Sequence, residues 1–266
     1  MRSLLFLLSA CACFGGWEFY GGDAGGSKFS ALSQIHRGNV RSLEVAWRFE
    51  TGTPGTLQCN PLVLGSTVFM TTPTQEVVAL DGDSGNVVWR WTANPNQRSR
   101  GVNRGLAFWP TNDSDPSNAQ EEQKPSGRLF HVVGSFLYAI DVASGKTVES
   151  FGDSGRVDLR QGLDRDLFGE YVTATSPGVV FQNLLIMGSR VGEGPGPSAP
   201  GHVRAFDVRT GERRWIFHTI PYPGEPGQSN WPADAWRRVG GANAWGGFTL
   251  DPLRGLVFFG TGSPAY

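Results

Sequence analysis

Side chains that commonly do nucleophilic or metal chemistry are few and poorly spaced in this 266-residue chain. The three cysteines are Cys11, Cys13 and Cys59. The first two fall in a leader-like segment, so Cys59 stands alone and no disulfide framework is expected. His36, His131, His202 and His218 lack metal-ligand spacing, and neither a CxxC pair nor an HExxH motif occurs. Zinc chemistry is therefore not expected. Lys and Arg number 23 against 24 Asp and Glu, a net charge of −1, without a basic run. Nothing in that balance favours nucleic acid. A hydrophobic share of 39%, with 12% aromatic, excludes a disordered chain.

The residues that do recur at fixed spacing are Asp, Gly and Trp. Ala79-Leu80-Asp81-Gly82-Asp83-Ser84-Gly85 leads to Trp89, and Ala205-Phe206-Asp207-Val208-Arg209-Thr210-Gly211 leads to Trp215. Ala139-Ile140-Asp141-Val142-Ala143-Ser144-Gly145 is a partial copy, with Glu149 at the Trp position and Phe151 two beyond. In such a turn Asp accepts backbone N–H groups and Gly supplies positive φ. Each copy predicts a hairpin whose Trp docks on the neighbouring repeat. The first arms are Glu76 to Leu80, Phe136 to Ile140 and His202 to Phe206. Another strand pair precedes each hairpin: Pro61 to Thr72, Arg104 to Trp109 with Arg128 to Val133, and Gly178 to Ser189. The 37 Gly and 17 Pro suit many short strands and turns. Four strands per repeat in series predict propeller blades rather than a β-sandwich.

Asn39 to Gly52 reads as a further strand that completes the last blade and closes the ring. Trp245 to Ser263 begins a fourth blade, with strands around Phe248 to Leu250 and Leu256 to Gly260. The expected fold is all-β, a partial propeller of about three and a half four-stranded blades. Its domain runs over 17–266 and is read as the N-terminal part of a longer protein, since an open ring leaves edge strands unpaired. The stretches Thr92 to Gly101, Thr111 to Gly127, Arg190 to Gly201 and Ile220 to Gly241 are expected as loops on the ring faces, where sites usually lie. Residues 1–12 read as an export leader: Met1-Arg2, then the apolar run Ser3 to Ala10, too short to span a bilayer. Leu8-Ser9-Ala10-Cys11 resembles a lipoprotein box with Cys11 as lipid anchor; Ala10-Cys11-Ala12 resembles an ordinary cleavage site.

The blade signature, Tyr20-Gly21-Gly22-Asp23 and the Ser30-Ala31-Leu32 stretch resemble the pyrroloquinoline quinone (PQQ) dependent dehydrogenases. So do Gln58-Cys59-Asn60-Pro61, Asn103-Arg104-Gly105, Gly188 to Pro195, His218 to Pro221, Gly240 to Gly246 and Gly260 to Ser263. That family consists of eight-bladed propellers that oxidise alcohols or sugars outside the cytoplasm. The segments look most like the quinoprotein glucose dehydrogenase branch. The resemblance implies a periplasmic or exported enzyme using PQQ and Ca²⁺. It also implies a small alcohol or sugar substrate and a quinone or cytochrome electron acceptor.

The resemblance also assigns roles. Arg104 falls where an arginine meets a PQQ carboxylate, a pairing suited to the guanidinium fork. Trp245 matches the flat floor under the quinone, with Gly246 and Gly247 leaving room for a planar ligand. Glu193 matches a carboxylate ligand of Ca²⁺, a hard cation that takes oxygen donors. Gln58, Thr175 (or Thr173, one alternation away) and Arg190 are weaker cofactor-binding matches. Ser263 stands where alcohol-type enzymes place an asparagine on the metal. Gln97 to Arg100 carries no cysteine where methanol-type enzymes have a vicinal disulfide, and both departures disfavour methanol. The family's catalytic aspartate falls beyond Tyr266, so the 266-residue product is expected to be inactive alone. A competing reading is a non-enzymatic propeller scaffold of the outer-membrane assembly lipoprotein type. Arg104, Glu193 and Trp245 argue against it, because a scaffold needs none of the three.

Overall fold

The computed structural model describes residues 16–94, 101–111, 125–167 and 169–266. The leader, with Cys11 and Cys13, and Gln97 to Arg100 lie outside the described residues, as do parts of two expected loops. Three four-stranded antiparallel meanders follow one another along the chain. The first is β1 (Leu62–Leu64), β2 (Thr67–Thr71), β3 (Val77–Asp81) and β4 (Val87–Trp91). The second is β5 (Ala107–Pro110), β6 (Gly127–Val133), β7 (Phe136–Asp141) and β8 (Arg156–Asp158). The third is β9 (Val179–Phe181), β10 (Leu184–Met187), β11 (Val203–Asp207) and β12 (Arg213–Phe217). A fourth unit has the hairpin of β14 (Phe248–Asp251) and β15 (Leu256–Phe259). Beside it β13 (Gly240–Gly241) pairs with β16 (Pro264–Ala265). The Ile220 to Gly241 loop holds α1 (Ala235–Arg238), a single turn.

The sheets stack face to face, each interface filled by the apolar residues of two meanders. Leu62, Phe69 and Ala79 of the first meet Leu129, Tyr138 and Ile140 of the second. Phe130, Leu137 and Ala139 then meet Leu185, Met187 and Phe206 of the third. Val179, Ile186 and Ala205 meet Ala244 and Leu250 of the fourth. Strand β9 lies against both β5 and β14, so the first strands of successive sheets gather together. This is the radial arrangement of propeller blades.

The signature turns are built alike. Asp81 Oδ1 accepts from the Ser84 N–H at 2.8 Å, as Asp141 Oδ1 does from Ser144; Asp207 Oδ1 accepts from Arg209 and Thr210. The register slips at the same place in the first and third copies, between Ala79 and Leu80 and between Ala205 and Phe206. Trp89 docks on the second blade, its Nε1–H donating to Val142 O at 3.0 Å. Its ring lies over Gly145, where a Cβ would sit 2.5 Å from it. Where Glu149 replaces Trp, the docking changes: Gly152 N donates to Thr210 O and Arg128 donates to the carbonyls of Val208 and Arg209.

One expected strand has no ladder among the described residues. Asn39 to Gly52 forms a 3-10 turn at Val40–Ser42 followed by backbone without strand pairing. Its alternation of Leu43, Val45, Trp47 and Phe49 has the period of a strand, but no described strand lies alongside to form the ladder. Leu43 and Val45 are exposed, while Trp47 docks on the first blade as Trp89 does on the second. Its Nε1–H donates to Gly82 O at 2.8 Å, and a Cβ on Gly85 would lie 2.5 Å from its ring.

Candidate cofactor and cation site

Several sequence-predicted residues occupy equivalent positions. Gln58, Arg104, Thr175 and Trp245 each stand three or four residues before the first strand of a sheet: β1, β5, β9 and β14. Because those first strands gather together, residues far apart in sequence meet. Arg104 N donates to Thr175 O and Arg104 O accepts from Asn60 N, which ties three of these entrances side by side. The Arg104 Nη1 donates to the buried Thr175 Oγ1 at 2.8 Å, and its Cζ lies 5.4 Å from the centroid of the Trp245 ring. Thr175, not Thr173, therefore orients the arginine; Thr173 pairs through its backbone with Arg190. Trp245 is 43% exposed, with the Arg104 guanidinium over its ring. Ser176 Oγ–H donates to the Trp245 carbonyl and fixes its backbone.

Glu193 reaches the same region from the β10–β11 connection. Asn243 Nδ2 donates to Glu193 Oε1 at 3.4 Å. Asn243 is fully buried, and its Oδ1 has no hydrogen-bond partner. Gly262, next to Ser263, lies against this group: a Cβ there would sit 3.3 Å from Trp245 Nε1 and 3.5 Å from Asn243 Oδ1. The structure thus brings Arg104, Thr175, Trp245, Glu193 and the Gly262-Ser263 turn into one neighbourhood. The side chains of Gln58 and Arg190 are exposed and hydrogen-bond to no member of this group among the described residues.

Behind Arg104 lies a buried network that sequence reasoning missed. Asn103 Oδ1 accepts from Thr71 Oγ1 at 2.9 Å and from Gly105 N at 3.0 Å, holding the turn that presents Arg104. His131 lies against Asn103 Nδ2 at 3.4 Å and against Gln75 O at 2.9 Å. The Gln75 carbonyl only accepts, so His131 Nε2 carries the proton and Nδ1 accepts from Asn103. Burial pushes His131 down to about 4, which keeps it neutral. Its signal in the sequence is weak: His131 is a polar residue within an apolar strand run. Asn243 and Asn103 both lie in segments already singled out, yet a polar residue among glycines does not announce its burial. Cys59 is a packing residue; it accepts from Thr71 N, and burial pushes its thiol up.

The fold defines a β-propeller chain. The family "PQQ: Glucose/ethanol/alcohol dehydrogenase, beta-propeller domain" matches residues 17–266, and the chain belongs to it. It is 33% identical to the quinate/shikimate dehydrogenase (quinone) of Acinetobacter baylyi, over 93% of this chain and 32% of that protein. It is 30% identical to the quinoprotein glucose dehydrogenase of Gluconobacter oxydans, over 87% of this chain and 33% of that protein. Among solved structures, a quinohaemoprotein alcohol dehydrogenase from Pseudomonas putida matches with a TM-score of 0.72 at 26% identity, covering 94% of this chain and 35% of that one. The chain spans about a third of the length of these relatives.

Proposed function

We propose that this chain is the N-terminal part of a PQQ-dependent dehydrogenase that oxidises a hydroxyl on a polyhydroxylated ring. The observation that carries the reading is the placement of the Arg104 guanidinium 5.4 Å from the open Trp245 ring, with Glu193 linked through Asn243 to the segment that bears that ring. A planar tricarboxylate needs a flat apolar support and a fixed cation, and this pair offers both. Quinate, shikimate and glucose, which name the relatives, all carry hydroxyls on a six-membered ring; the glucose-type expectation is kept within that wider class.

The chain's own residues divide the work. Trp245 supports the cofactor plane. Arg104, oriented by Thr175 and by the Asn103 turn, pairs with a cofactor carboxylate. Glu193 holds a hard cation such as Ca²⁺, with Ser263 beside it; a carboxylate next to a buried, unpartnered amide oxygen is a donor set of the right chemistry. When bound, PQQ supplies the two-electron acceptor and the cation polarises it. The resemblance assigns the proton-accepting carboxylate to chain beyond Tyr266, so none of these residues is cast as the base. Reduction of a quinone or cytochrome, an exported location and a lipid anchor at Cys11 complete the reading.

Dye-linked oxidation of quinate, shikimate and glucose, with PQQ and Ca²⁺ added, tests it. A protein extended by the downstream blades is expected to turn over at least one of them, and the 266-residue product none. PQQ-dependent turnover by the 266-residue product, abolished by Glu193→Ala, would contradict the placement of the base. No PQQ-dependent oxidation of any hydroxylated ring by the extended protein would overturn the function.

A further inference from the structure

We infer that Asn243 supplies a second side-chain oxygen to the Glu193 cation site. This rests on the reading of Glu193 as a cation ligand and adds a residue to it. Asn243 is fully buried, and its Oδ1 has no hydrogen-bond donor. An amide oxygen in that state lacks the positive partner that burial ordinarily demands. Its Nδ2 lies 3.4 Å from Glu193 Oε1, so the amide and the carboxylate are immediate neighbours held by one long bond. Among the described residues no group of three His, Cys, Asp or Glu surrounds a metal position. Within these residues a hard cation at Glu193 would draw on neutral oxygens, and amide oxygens are ordinary ligands of such ions.

The placement of Asn243 is fixed by three segments. Gly201 packs on its Cα, where a Cβ would approach to 2.3 Å. Gly201 N donates to Gly241 O, Ala242 N donates to Ser263 O, and Gly262 N donates to Asn243 O. The Glu193 loop, the Asn243 segment and the Gly262-Ser263 turn are thus bound together by backbone hydrogen bonds. Gly262 presents no side chain toward Asn243 Oδ1, which leaves that oxygen facing the turn that carries Ser263. Glu193 and Asn243 then offer a carboxylate and an amide oxygen, beside the turn that carries Ser263.

Terbium(III), an oxygen-seeking ion whose emission is sensitised by nearby tryptophan, provides the probe. Titration of the cofactor-free protein reads cation binding without any turnover. Asn243→Ala should weaken binding at least tenfold, and the near-isosteric Asn243→Asp, which replaces the amide by a charged oxygen donor, should tighten it at least tenfold. Circular dichroism of both variants establishes that they are folded; the aspartate variant carries the test should the alanine variant misfold. Wild-type affinity in a folded Asn243→Ala, or no tightening in Asn243→Asp, overturns the inference. Glu193→Gln separates the two levels: if it also leaves binding unchanged, the cation site itself is wrong, whereas loss in Glu193→Gln alone removes only Asn243 from it.

Discussion

Trp89 and Trp245 are the same residue used in opposite ways. Trp89 is clamped between blades: its N–H is satisfied by Val142 O and its ring is pressed on Gly145. Trp245 lies 43% exposed, with its N–H unbonded among the described residues and an arginine against its face. The docking end of the blades satisfies its polar groups, as Asp81, Asp141 and Asp207 do in the signature turns. At the entrance to the first strands the Trp245 ring is partly exposed and the buried Asn243 Oδ1 is left unpaired. Satisfied groups stabilise; open ones are available to a ligand.

The largest effect should come at the docking end. Gly145→Ala places a Cβ 2.5 Å from the Trp89 ring at a residue with φ of 68°. Strain and overpacking together should cost about 4 kcal/mol, read by urea unfolding; a loss under about 1 kcal/mol would show that the blade contact is loose.

The next effect is on pH. His131 is held at about 4 by burial against an unfolded value near 6.5, so the unfolded chain takes up its proton first as pH falls. Stability attributable to His131 should be complete above about pH 6.5 and fall by about 3 kcal/mol on reaching pH 4. His202, pushed by burial to about 3, adds a loss of the same sign. Unfolding curves of His131→Gln should show a shallower acid slope than wild type; an unchanged slope would remove His131 from the account.

Smaller effects separate the two tryptophans. Trp89→Phe loses a hydrogen bond and packing, and should cost about 2 kcal/mol while leaving PQQ affinity alone. Trp245→Phe should change stability by no more than about 0.5 kcal/mol. A reversal of that order would erase the distinction between the two ends of the blades.

The docking end was legible because its information is local: Asp, Ser or Thr, and Gly at fixed offsets specify a turn, and Trp89 docks as its copy predicts, whereas Trp215 of the third sheet is exposed and makes no such bond among the described residues. The Asn39 to Gly52 segment alternates as a strand does, but a strand exists only with a partner, and the last blade that it is expected to complete is not among the described residues; Trp47 docks on the first blade without it. At the site, Arg104, Trp245 and Glu193 were visible through motifs; equivalent entrances explain why Arg104 and Trp245 meet, while Glu193 joins them from the β10–β11 connection through Asn243. Asn243, Asn103 and His131 were not, because burial and pairing arise from segments that are distant in sequence. Gln58 and Arg190 are motif matches whose exposed side chains make no hydrogen bond to that group among the described residues.

The central claim is that the Trp245 and Arg104 entrance binds the planar cofactor. Quenching of tryptophan fluorescence by PQQ, titrated into the cofactor-free protein, measures it directly. The account predicts that Trp245→Ala and Arg104→Ala each weaken binding at least tenfold while Trp89→Phe binds as wild type. Wild-type PQQ affinity in either of the first two variants, with the fold intact, would contradict it.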